Sequence, residues 1–178
     1  MRTLSRQRTA LLAVLLLALV AGATGIRWGL PAAVDASTVQ PWALDTIAPI
    51  APLNEAYNRF TRAGNEYVVY PLFHYMVLSA AYAPYIGTLM IGGGLDDPSS
   101  TFPYGVTDIG SFTANLTLIA RLVSLAMALA IVALVYRMTR ELTSPATAAW
   151  AAAACSLLAP LAYYAKTSNL DVPYAFWV

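Results

Sequence analysis

The 178-residue chain is 59% hydrophobic and 11% charged, with a mean hydropathy of +0.61, far below the roughly 25% charged residues of an ordinary soluble domain. Ten basic against nine acidic side chains leave a net charge of +1, which sets aside the clustered Lys and Arg surface of a nucleic-acid binder. The single cysteine, Cys155, excludes an intrachain disulfide and, within an alanine-rich run, reads as a small packing residue.

Arg2, Arg6 and Arg8 precede an uncharged run of Leu, Ala and Val over residues 9–26. A basic flank followed by about 18 to 20 apolar residues predicts a membrane span with a cytoplasmic N-terminus. The small residues Ala21-Gly22-Ala23 keep a cleaved signal peptide as the rival reading.

Beyond it, Pro31, Pro41, Pro49 and Pro52 punctuate the chain and predict short helices between turns, one around residues 53–63. Residues 67–95 carry no charge and could cross a bilayer, yet Pro71, Pro84, Gly87 and Gly92-Gly93-Gly94 favour broken helices lying on the membrane surface. His74 and tyrosines 67, 70, 75, 82 and 85 suit an interfacial place with one wet end. The glycine triplet has no following Lys-Ser or Lys-Thr, so it reads as a turn and not as a phosphate loop. Asn115-Leu116-Thr117 fits a glycosylation pattern but abuts the next apolar run, and no sugar is expected there.

Two further spans are predicted at residues 117–136 and 145–165, separated by a basic turn with Arg137 and Arg140. Ser144-Pro145 reads as a helix N-cap followed by proline at the first helical position. The positive-inside rule puts that turn in the cytoplasm, and a fourth apolar run starts near residue 172. The expected fold is therefore all-α: a polytopic transmembrane helical protein with a large extracytoplasmic loop over residues 27–116 containing short juxtamembrane helices. The final run is too short to cross, which predicts the N-terminal piece of a longer protein, inactive by itself.

This topology puts Asp45 and Asp171 on the same side of the membrane, with Lys166 and Arg121 at outer ends of spans. Charges bordering apolar sequence are costly, about 2.5 to 3.5 kcal/mol at mid-bilayer and less near the surface, so each calls for a reason. Marking where water begins is the plainer one.

Trp42-Ala43-Leu44-Asp45-Thr46-Ile47-Ala48-Pro49, Tyr70-Pro71-Leu72, Arg121-Leu122-Val123-Ser124 leading to Val135-Tyr136-Arg137, and Asn169-Leu170-Asp171-Val172-Pro173 occur in that order. The series resembles the C-type membrane glycosyltransferases, specifically the protein-mannosyltransferase and aminoarabinose-transferase relatives. The resemblance implies transfer of a sugar from a polyprenyl-phosphate donor to an acceptor hydroxyl, at the outer face of a bacterial plasma membrane. It implies Asp45 as general base and Asp171 as a residue orienting the acceptor or a divalent metal ion. Lys166 or Arg121 would meet the leaving phosphate, as a point charge or a bidentate fork, and Glu66 and Tyr70 are possible accessories. Direct displacement would invert the anomeric centre.

Two departures bear on the metal: Thr46 stands where the usual Asp-Glu pair has glutamate, and Val69-Tyr70-Pro71-Leu72 lacks the Glu-Lys of the aminoarabinose branch. One histidine and no HxxH or CxxC spacing give no independent metal signal. Sugar and acceptor are open. A non-enzymatic reading on the same residues is a transporter or assembly subunit in which Asp171 and Arg121 pair between helices.

Overall fold

The computed structural model describes residues 2–31, 46–61, 72–99 and 101–178. Among them, seven helices form: α1 (Arg2–Ala23), α2 (Ala51–Thr61), α3 (Leu72–Ile91), α4 (Ile109–Leu142), α5 (Pro145–Ser156), α6 (Ala159–Tyr164) and α7 (Asp171–Trp177). The only extended pairing among the described residues is an isolated antiparallel bridge between Leu95 and Val106. The chain divides into two compact units, residues 1–26 with 124–178, and residues 27–123.

The expectation of a polytopic protein is overturned. Among the described residues one helix, α4, is long and apolar enough to cross a membrane; its 34 residues extend about 51 Å at 1.5 Å per residue. The apolar part of α1, Arg8–Ala23, falls in the 10–17 residue range, short of a span. The run expected to cross over residues 145–165 is two helices of 12 and 6 residues. Its break has a local cause: Pro160 sits in the first turn of α6, where it lacks an N–H and its ring opposes the carbonyl four residues back, so α5 cannot continue through it. The last helix, α7, has 7 residues.

In the first unit, Val14 and Ala18 of α1 share a buried cluster with Val132 and Tyr136 of α4 and Ala148 and Ala152 of α5. Small residues let the helix backbones approach closely. Farther along α1, a Cβ on Gly22 would stand 2.5 Å from Leu125 Cδ1 and 3.6 Å from the Ala165 Cβ. Later residues of α1 thus meet earlier residues of α4 and later residues of the α5–α6 segment. Helix α1 therefore runs antiparallel to α4 and alongside α5 in the same direction. The α5 start is capped as its sequence implies, with Ser144 Oγ accepting from the Thr147 N–H at 3.2 Å.

In the second unit, α2 packs on α3, and Ser79 Oγ donates to the Pro52 carbonyl at 2.8 Å. The expected helix at residues 53–63 is α2. The expected break of α3 does not occur at Pro84, which lies inside one 20-residue helix; the helix ends instead at the glycine triplet. There the turn is tied by the Thr107 N–H donating to the Gly94 carbonyl at 3.1 Å. Gly105 has φ +78°, and a Cβ there would collide with the Asp97 backbone, so only glycine fits. Asn115 donates to the Tyr85 hydroxyl at 3.0 Å, which occupies its amide within the fold.

The interfacial reading of His74, Tyr75 and Tyr82 also needs correction. His74, Tyr75 and Tyr82 are buried, His74 at 2% exposure and Tyr82 at 0%. With Leu78 they lie at helical spacing on one face of α3, which faces the core. Tyr67 and Tyr70 lie outside the described residues.

Candidate functional site

Asp45, Glu66 and Tyr70 lie outside the described residues. The other three expected site residues occupy three different environments, and Asp171 lines a cavity.

After α6 the backbone tightens: the Lys166 and Thr167 N–H groups donate to the Tyr163 and Tyr164 carbonyls, both at 3.3 Å. This turn buries Thr167, Ser168 and Asn169 and leads directly into α7, whose first residue is Asp171. Asn169 Nδ2 donates to Asp171 Oδ2 at 2.7 Å. A buried amide thus fixes one oxygen of an exposed carboxylate and sets the direction of the other. Ser168 Oγ and Asn169 Oδ1 are buried and have no hydrogen-bond partner among the described residues, a state that a native interior rarely leaves unexplained.

Asp171 is among the residues lining an apolar cavity of about 310 Å³ that also touches Ile131, Leu158, Leu161, Tyr164 and Val172. Asp171 is the one charged side chain among the described residues lining it. Its volume reaches the lower end of ordinary small-molecule sites, roughly 300 to 1,000 Å³. An apolar wall with one carboxylate at its edge receives an apolar body and accepts a hydrogen bond from a hydroxyl or amine.

Lys166 is half-buried, and its ammonium donates to the Thr24 carbonyl at 3.2 Å. That carbonyl lies just past the last residue of α1, where backbone acceptors lack helical partners and the helix dipole favours a cation. Lys166 therefore closes the end of α1 with one ammonium hydrogen. Its remaining hydrogens are available to an anion.

Arg121 is 2% exposed. Its Nη1 donates to the Trp28 carbonyl at 2.7 Å and its Nη2 to the Gly29 carbonyl at 3.4 Å. Charge-assisted bonds to backbone make a strong internal clamp, and burial keeps the guanidinium from an approaching phosphate. Its geometry is that of a scaffold for the turn after α1.

Among the described residues no group of three or more His, Cys, Asp or Glu side chains is placed to hold a metal ion. Asp171 and the Asn169 amide oxygen alone fall well short of the six or more oxygens that hard divalent cations take. Sequence reasoning found Asp171 from its place beside an apolar run. It missed Ser168 and quoted Asn169 only within the motif around that aspartate, without a role for its side chain.

No protein-family model, curated protein or solved structure matches the chain.

Proposed function

We propose that the chain is part of a membrane glycosyltransferase that moves a sugar from a polyprenyl-phosphate donor to an acceptor hydroxyl. The reaction would take place on the extracytoplasmic face of a bacterial plasma membrane, with the N-terminus in the cytoplasm. The observation that carries this reading is Asp171, which lines an apolar cavity and whose carboxylate is held by Asn169. Helix α4, long and apolar enough to cross a bilayer, supports the membrane setting.

In this reading, Asp45 takes the proton of the acceptor hydroxyl as its oxygen attacks the anomeric carbon. The bond from that carbon to the phosphate oxygen breaks, and the sugar is delivered with inversion. Asp171, through the oxygen not held by Asn169, accepts a hydrogen bond that orients the acceptor. The departing phosphate gains negative charge, which the Lys166 ammonium offsets. The apolar cavity wall suits a prenyl chain.

The test uses membranes carrying the full-length enzyme of which this chain is part, with a labelled polyprenyl-phosphate sugar. Asp45→Asn should lower transfer by about 10²- to 10⁴-fold, the usual contribution of a positioned base, with membrane insertion unchanged. Asp171→Asn should raise KM for the acceptor more than it lowers kcat. Near-normal turnover of Asp45→Asn would remove the proposed chemistry.

A further inference from the structure

The antiparallel arrangement of α1 and α4 has an electrostatic result at one end of the first unit. The start of α1, the end of α4 and the start of α5 lie together there, because Val14 and Ala18 share their buried cluster with Val132, Tyr136, Ala148 and Ala152. Arg8, Arg137 and Arg140 are exposed at this end, with Glu141 as the acidic residue beside them. Helix α1 begins with Arg2 and Arg6 in its sequence. Lys166, bonded to Thr24, closes the opposite end of α1.

Exposed apolar side chains adjoin the arginines in the same helices: Leu12 and Leu16 on α1, and Leu134, Met138 and Leu142 on α4. Basic side chains at a membrane surface are attracted to the phosphates of anionic headgroups mainly by charge. A soluble anion would use the arginines and leave the apolar groups in water, whereas a phospholipid satisfies both with headgroup and acyl chain. Basic residues immediately after a membrane-crossing helix meet anionic headgroups at the depth where Arg137 and Arg140 fall.

We propose that Arg8, Arg137 and Arg140 form a docking surface for anionic phospholipid headgroups. The surface holds the α4 end and the α1 start against the membrane. It depends on the membrane setting of α4 and not on the transferase chemistry.

The test takes the full chain in zwitterionic detergent and titrates it with phosphatidylglycerol or phosphatidylcholine while following the thermal unfolding midpoint. Phosphatidylglycerol should raise the midpoint by about 5 °C at low salt, and phosphatidylcholine by much less. The triple variant Arg8→Gln, Arg137→Gln, Arg140→Gln should lose the shift and keep the wild-type midpoint in phosphatidylcholine. A triple Arg→Lys variant should keep most of it, because charge dominates the attraction. In the wild-type chain the shift should fall by more than about half between 50 and 500 mM salt, a readout independent of whether the glutamine variant folds. Equal shifts with both lipids, a salt-insensitive shift, or the same shift from inorganic phosphate would each overturn the proposal. Sugar transfer is not read, so failure here leaves the catalytic reading to its own assay.

Discussion

A histidine with 2% of its surface exposed has lost most of the water that would stabilise its cation. Burial accordingly lowers the His74 pKa from 6.5 to about 4. Above pH 6.5 the ring is neutral folded and unfolded, and stability is full. As pH falls from 6.5 towards 4, the unfolded chain binds a proton that the folded chain refuses, so stability declines. The loss approaches about 3 kcal/mol below pH 4, at 1.36 kcal/mol per unit. Denaturant midpoints at pH 7 and pH 4.5 should therefore differ strongly in the wild type and less in His74→Leu; an identical pH response in the variant would show that other groups set the acid limb. Arg121 gives a second residue-scale prediction. Arg121→Met strands the Trp28 and Gly29 carbonyls, which now accept from a cation, and should cost about 2 to 3 kcal/mol, roughly 4 to 12 °C in Tm. Both residues show where sequence reading stops. Arg121 was legible as a charge needing a reason at the edge of an apolar run, but its acceptors come from the turn after α1, which no local pattern connects to it. His74 was placed at an interface because a ring with a polar end can be half wet. That it shares a buried face with Leu78 and Tyr82 followed from the 3.6-residue period, a signal weakened by apolar residues all round α3.

At the scale of elements, the sequence carried helix starts better than helix lengths. Ser144-Pro145 identified the start of α5 because a cap is a local event: one hydroxyl and one N–H three residues on. The end of α5 depends on a competition between uniformly apolar composition, which favours a long span, and the missing N–H of Pro160, and the backbone term wins. In α3 the same residue type loses, since Pro84 lies inside a continuous helix that packs on α2. The helix pair of the first unit makes a sharper demand. Ala148 and Ala152 are both 0% exposed, so α1 meets α5 across methyl groups with little room to spare. Ala152→Leu should force the helices apart and cost about 1 to 3 kcal/mol, visible as a lower Tm, while Ala152→Gly should cost about 1 kcal/mol by helix propensity. A leucine variant as stable as the wild type would mean that the interface yields freely.

For the molecule as a whole, the consequential feature is that opposite ends of the first unit carry different chemistry. Arg8, Arg137 and Arg140 gather where α1 starts and α4 stops, whereas Lys166 bonds to Thr24 beyond the end of α1, ahead of the turn that delivers Asp171. A bilayer core is about 30 Å thick, and α4 extends about 51 Å, so a crossing α4 places its C-terminal arginines clear of the hydrocarbon. On the proposed function the positive-inside rule favours the basic end in the cytoplasm, and the reading then requires Asp171 to reach the other face. Cysteine labelling can check this without any assay of activity. In a Cys155→Ala background, Thr143→Cys reports the basic end and Tyr174→Cys reports α7; both positions are exposed. An impermeant maleimide added to sealed, right-side-out vesicles should label Tyr174→Cys at once and Thr143→Cys only after permeabilisation. In inverted vesicles the order should reverse. Labelling of both positions from one side would mean that no membrane separates the arginines from Asp171, and the carboxylate would then have no claim to an extracytoplasmic acceptor.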